Sequence, residues 1–133
     1  MTKYLLDASA LYPLILRLRE KMVLFVDRFV ILDLTLYEVG NIVWKEYHRG
    51  RIRDPVLVAT MFREVLRNVR ELSIECSLPE IVELSVKNNI TFYDASYIYV
   101  ARRHGLRLVT EDVDLKKFPE AISVDKLLRE LGV

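Results

Sequence analysis

Glutamine is absent from this sequence, and cysteine occurs once, glycine four times and proline four times in 133 residues. So little glycine and proline excludes a collagen-like repeat and leaves no low-complexity tract or linker. The single Cys76 excludes an internal disulfide and a four-cysteine zinc site, so a reduced, cytoplasmic setting is expected. Long apolar runs are missing too. The longest stretch without charge, Ala8 to Leu16, has nine residues, whereas a bilayer-spanning helix needs roughly 20. Asp7 breaks the N-terminal apolar run, which argues against a signal peptide, and no membrane partner is expected. Charge of one sign is also lacking. Twenty basic side chains meet 19 acidic ones for a net of +1, so any contact with nucleic acid must come from a local patch. Scarce amides, with 13 Arg against 7 Lys, are a composition seen in heat-adapted proteins.

What is present suits a folded enzyme-sized domain. With 52% hydrophobic and 29% charged residues the chain is not disordered. Area scaling gives about 7,000 Å² exposed when folded against about 23,000 Å² when open, enough burial for one domain over residues 1–133. Tyr4-Leu5-Leu6 and Val30-Ile31-Leu32 are unbroken apolar runs, as in strands buried on both faces of a parallel sheet. A helix is expected after the first, with Pro13 in or near its opening turn, and another across Lys21 to Phe29. Thr35 to Arg49 reads as a helix, because Thr35-Leu36-Tyr37-Glu38 has capping-box spacing and Gly50 stands at its stop. Asp54-Pro55 offers an N-cap and N1 proline to the next helix, whose apolar face runs from Val58 to Val69. Leu72-Ser73-Ile74 is expected as a third strand, Leu106 to Thr110 as a fourth and Ala121 to Ser123 as a fifth. Further helices are read near Pro79 to Asn88, Thr91 to Gly105 and Asp125 to Leu131. Strands alternating with helices make an α/β sandwich around a parallel sheet.

Ligand sites in such sheets lie beyond the carboxyl ends of the strands. Asp7 and Asp112 follow strands there, and Glu38 and Asp94 fall in the first turns of helices that begin at that edge. Each acid alone is explained by helix capping, worth about 0.3–1 kcal/mol through the helix dipole. Together they conflict, because two carboxylates about 4 Å apart repel by about 4 kcal/mol at an effective dielectric of 20. Either some are protonated or a cation sits among them. An all-carboxylate set without His or Cys suits Mg²⁺ or Mn²⁺ rather than zinc. Such a rim is machinery for hydrolysing a phosphodiester.

At these residues the chain resembles a PIN-domain ribonuclease, most of all the VapC-type toxins of toxin–antitoxin pairs. The matching segments are Leu5-Leu6-Asp7-Ala8-Ser9-Ala10-Leu11, Tyr37-Glu38-Val39-Gly40-Asn41, Thr91-Phe92-Tyr93-Asp94-Ala95 and Leu108-Val109-Thr110-Glu111-Asp112. They stand in the family's order and cover nearly the whole chain. The resemblance implies a single PIN domain over residues 1–133, a three-layer sandwich with sheet order 3-2-1-4-5. It also implies a Mg²⁺- or Mn²⁺-binding catalytic quartet of Asp7, Glu38, Asp94 and Asp112. Ser9 and Thr110 match hydroxyl positions that orient carboxylates or waters, or else serve only as helix-start hydrogen bonds. Asn41 matches a position near the site. Asp114 is an extra acid within reach of the rim, and Glu111 is expected to point away. A haloacid-dehalogenase-like phosphatase would need an aspartate where Ser9 stands. A response-regulator receiver would need a lysine after the fifth strand, where Ala121-Ile122-Ser123 offers none.

The resemblance further implies RNA as substrate, a small protein antitoxin as partner and a homodimer. Arg49, Arg51 and Arg53 form the densest basic run, with phosphate contact as the functional reading and a solvated helix end as the plain one. Trp44 and Tyr47 are read as packing residues. The function expected is Mg²⁺/Mn²⁺-dependent endoribonuclease of a toxin–antitoxin pair. The alternatives are a stand-alone RNA-processing nuclease, a non-catalytic PIN-like RNA- or protein-binding module, or a flap- or DNA-directed nuclease of related architecture.

Overall fold

The triplet Tyr4–Leu6 (β1) lies at the centre of a five-stranded sheet in a computed structural model that describes residues 2–133. Phe29–Leu32 (β2), Arg70–Leu72 (β3), Arg107–Val109 (β4) and Ala121–Ile122 (β5) complete it, all pairings are parallel, and the order is 3-2-1-4-5 as expected. Alternation along the strands divides the core between two faces. Tyr4, Leu6, Phe29 and Ile31 point to one cluster, and Leu5, Val30, Leu32 and Leu108 to the other. Ala8–Leu18 (α1), Asp33–His48 (α2), Pro55–Leu66 (α3) and Val124–Leu131 (α7) cover the first face. Leu78–Asn88 (α4) and Phe92–His104 (α5) cover the second, and Val113–Lys116 (α6) is a single turn between β4 and β5. The result is the three-layer α/β sandwich the strand–helix alternation requires.

Local chemistry sets most of the boundaries. The Asp54 carboxylate accepts from the Leu57 N–H at 3.0 Å with Pro55 at the helix start, and Ser123 and Thr91 cap α7 and α5 in the same way. Asp54→Ala is expected to destabilise the protein by about 1 kcal/mol, measurable as a lowered urea midpoint with an unchanged slope. Gly105 ends α5 in the left-handed region (φ 65°), a conformation a side chain resists.

Four expectations shift. The segment expected as a helix from Lys21 to Phe29 is two 3₁₀ stretches, Arg19–Leu24 and Val26–Arg28, and Phe29 already belongs to β2. The third strand falls at Arg70–Leu72 rather than Leu72–Ile74, because an edge strand with exposed Arg70 and Glu71 has no apolar run to announce it. Pro13 lies inside α1, not in its first turn, and leaves the Ser9 carbonyl without its helical donor. Lastly, α2 starts at Asp33, so Thr35 is its third residue rather than its cap. The Thr35 hydroxyl reaches back to the Leu32 N–H at 3.1 Å, and Glu38 therefore sits in the second turn.

Candidate active site at the carboxyl edge of the sheet

The chain runs outward from β1 to β2 and β3, then returns to the other side of β1 for β4 and β5. The reversal leaves a switch point between β1 and β4, where the helices leave their strands in opposite directions. Asp7 follows β1 directly, its N–H donating to the Val109 carbonyl at 3.3 Å, and Asp112 follows β4 after Thr110 and Glu111. Both acids are thereby tied to the crevice by the two central strands.

Asp7 is 3% exposed. Its Oδ1 accepts from the Ser9 hydroxyl at 2.7 Å and the Ala10 N–H at 3.0 Å, so it does cap α1. Burial nevertheless pushes its carboxyl up to about 6 from 3.8, with repulsion from Glu38 adding to the rise and the hydrogen bonds opposing it. Glu38 is also raised, first by burial and then by Asp94 and Asp112, while the Tyr97 hydroxyl holds it down. Asp94, placed in the first turn of α5 by the Thr91 cap at 3.1 Å, is raised by burial, Asp112 and Asp114. Asp112 caps α6 through the Asp114 N–H at 2.8 Å. Capping and mutual repulsion therefore coexist. None of the four acids forms an ion pair with Lys or Arg among the described residues.

The hydroxyls tie this rim together. Ser9 Oγ lies 3.3 Å from Thr110 Oγ1 and accepts from the Glu111 N–H at 2.9 Å, and Thr110 Oγ1 accepts from the Asp112 N–H at 3.0 Å. The two Ser9 contacts join the end of β1 to the end of β4. Asn41 lines the cavity beside Glu38, where Tyr97 is the residue that holds the Glu38 carboxylate. Asp114 is close enough to raise Asp94, so it belongs to the rim's field. Glu111 turns away to Lys116 at 3.0 Å and the Val124 N–H at 3.3 Å.

The basic run is elsewhere. Arg49 and Arg51 follow the carboxyl end of α2, opposite the rim, and pair with Glu46 at 3.2 and 3.3 Å, while Arg53 follows in the same loop. Trp44 and Tyr47, read as packing residues, are 56% and 47% exposed and line an apolar groove of about 590 Å³ between α2 and α3.

Two contributors were not marked by sequence. Tyr97 is 1% exposed and donates to Glu38 Oε1 at 2.6 Å, with Thr35 Oγ1 at 2.8 Å on its other side. The hydrogens can be ordered from the ends, because the Leu32 N–H only donates and the ionised Glu38 only accepts. Thr35 accepts from Leu32 and donates to Tyr97, which donates to Glu38. Lys45 lies on the same face of α2, seven residues beyond Glu38, and lines the same cavity. Helical spacing was a usable signal for Lys45, and the position of Tyr97 three residues after Asp94 was a weaker one.

An oxygen-only donor set, short of counter-charge and partly desolvated, fits Mg²⁺ or Mn²⁺. Among the described residues no three His, Cys, Asp or Glu side chains stand close enough together to hold a metal ion. The acids sense one another's charge without forming a chelate, an open arrangement compatible with a hydrated cation.

Comparison with known proteins agrees with this geometry. The family model of the PIN domain matches residues 4–121. The chain belongs to the PIN-domain family. This PIN domain is 42% identical over 131 residues to "Exonuclease VapC9" of Pyrobaculum aerophilum, covering 98% of this chain and 96% of that one. It is 31% identical to "Ribonuclease VapC3" of the same organism, over 91% of this chain and 98% of that one. Among solved structures it resembles the crystal structure of PAE2754 from Pyrobaculum aerophilum, with TM-score 0.88, 41% identity and coverage of 98% and 90% of the two chains. At 19% identity and TM-score 0.64, a toxin–antitoxin complex from Klebsiella pneumoniae shares the fold, covering 92% of this chain and 98% of that one. The VapC-like resemblance read from the acid motifs is borne out.

Proposed function

We propose that this PIN domain is a Mg²⁺- or Mn²⁺-dependent endoribonuclease and the toxin of a toxin–antitoxin pair, acting in the cytoplasm as a homodimer restrained by a small protein antitoxin. The observation that carries the nuclease reading is the rim itself. Asp7, Glu38, Asp94 and Asp112 come from four segments, three of them have raised pKa values, and none is paired with a basic side chain. The two VapC relatives, named as a ribonuclease and an exonuclease, support phosphodiester hydrolysis. No helix is long and apolar enough to cross a membrane among the described residues.

In this reading the four acids hold the cation. A bound divalent cation would supply a polarised water and charge neutralisation at the scissile phosphate. The Ser9 hydroxyl and Ala10 N–H keep Asp7 Oδ1 oriented, Tyr97 fixes Glu38, and Thr110 holds the loop that carries Asp112. Asp114 adds negative charge at the rim and stands as a supplementary acid.

One observation favours a second mode of cutting, since the 42% identical relative is named an exonuclease. Linear and circular single-stranded RNA, tested with Mn²⁺ and with chelator, separate the two. The expected result is Mn²⁺-dependent cleavage of both substrates, abolished by chelator. Cutting of linear RNA alone would make the enzyme an exonuclease. Cleavage unaffected by chelator would overturn the metal-dependent reading.

A further inference from the structure

Beside the acids lies a cavity of about 610 Å³, walled by the first turns of α1 and α5 and by one face of α2. Glu38 stands at its rim-facing end and Lys45 further along α2. Two aromatic rings share it: Tyr37 is 79% exposed and Tyr93 is 60% exposed. Neither is held in the core, although Tyr93 directly precedes Asp94 and Tyr37 directly precedes Glu38. Tyr37, Asn41 and Lys45 are spaced four residues apart on α2, so they form one stripe with steps of about 6 Å. Lys45 forms no ion pair among the described residues.

We infer that this cavity is a subsite for an unpaired nucleobase of the substrate strand, stacked on Tyr37 and Tyr93, with Lys45 meeting a neighbouring phosphate and Asn41 the sugar or base edge. The inference rests on the nuclease reading and deepens it. A strand whose phosphate lies at the acids must continue over one of the adjoining surfaces. This cavity is bordered by Glu38 and, along α2, offers an aromatic face, an amide and a cation in that order. Ring faces accept any base, so the subsite selects single-stranded over paired nucleic acid and is tolerant of sequence. A duplex keeps its bases stacked inside and presents nothing to these rings. A peptide strand could cover the tyrosines, but Lys45 and Asn41 on one stripe favour a ligand with regularly spaced anions.

The test titrates the full-length protein, with Mn²⁺ present, against single-stranded RNA carrying 2-aminopurine at successive positions, and reads cleavage separately. A stacked 2-aminopurine loses fluorescence. The expected result is quenching at one or two positions next to the cut bond. Tyr37→Leu and Tyr93→Leu should abolish that quenching and raise KM roughly 10-fold or more, with kcat within about twofold. Tyr37→Phe and Tyr93→Phe should retain both, because the ring is kept. Trp44→Ala, exposed on the same helix but in the other groove, should change nothing. Unchanged quenching and KM in the leucine variants would overturn the subsite, as would equal losses in the phenylalanine and leucine variants. Quenching that depends on the tyrosines in a protein that cuts no RNA would leave the subsite standing and sink the nuclease reading instead.

Discussion

Asp7→Asn is expected to reduce RNA cleavage by at least about 100-fold while making the metal-free protein more stable at pH 8. The loss should exceed the 10–100-fold cost of a residue that only orients a ligand. The gain in stability follows from linkage. Asp7 titrates near 6 in the fold and 3.8 in the open chain, so between those values the folded state binds more protons. Stability is therefore fully present below about pH 4 and falls as pH rises through about 6. The difference corresponds to about 3 kcal/mol lost by the metal-free protein across that pH range, an upper range for what asparagine recovers. Asparagine still presents an oxygen to the Ser9 hydroxyl and the Ala10 N–H, so the α1 cap survives. Urea unfolding at pH 4 and pH 8 in chelator checks it. The wild type should lose stability between the two, and the variant should lose less. A variant that is as active as wild type, or less stable at pH 8, would contradict the assignment of Asp7.

Tyr97→Phe is the second large effect. The substitution removes one oxygen from a buried chain of three hydrogen bonds and leaves Thr35 and Glu38 each short of a partner. Destabilisation of about 1–3 kcal/mol is expected from the unsatisfied groups. The informative readout is the Mn²⁺ concentration that half-activates cleavage, which should rise roughly 10–100-fold as Glu38 loses its fixed orientation. Thr35→Val should move it in the same direction by less, because it acts one bond further away. A purely structural tyrosine would lower stability and leave half-activation unmoved.

These two residues also mark what a single sequence can and cannot disclose here. Asp7 was legible because a short apolar strand delivers whatever follows it to the sheet edge, and the same logic located Glu38, Asp94 and Asp112. Capping was equally legible, and Asp7 and Asp112 are both helix caps and at the carboxyl edge of the sheet. Tyr97 was not legible. It lies one turn beyond Asp94 among apolar neighbours, and its partner Glu38 lies 59 positions away on another helix. Thr35 was misplaced by three helix positions, because the cap falls at Leu32 and Asp33 and Leu34 also adopt helical geometry. The edge strand Arg70–Leu72 was displaced for the same kind of reason. Its pairing with β2 decides its position, and its exposed side chains carry no burial pattern. The basic run 49–53 fits its plain reading as a solvated helix end. It stands out in sequence, yet Arg49 and Arg51 are engaged by Glu46. Lys45, isolated in sequence, is the cation that shares a cavity with Glu38.

The four rim acids and the arginines of the basic run stand apart in the fold. At the switch point the four acids form no ion pair among the described residues, and the paired arginines follow the far end of α2. If the rim binds a divalent cation, binding should release protons from groups such as Asp7.

Mn²⁺ titration of thermal stability at pH 7.5, on wild type and Asp7→Asn together, tests the rim as a divalent-cation site. Without metal the variant should melt several degrees above the wild type. With saturating Mn²⁺ the wild type should gain stability and the order should reverse, since only the intact rim gains from the ion. A wild-type melting temperature that Mn²⁺ leaves unmoved, or raises equally in both proteins, would contradict a cation site at the rim.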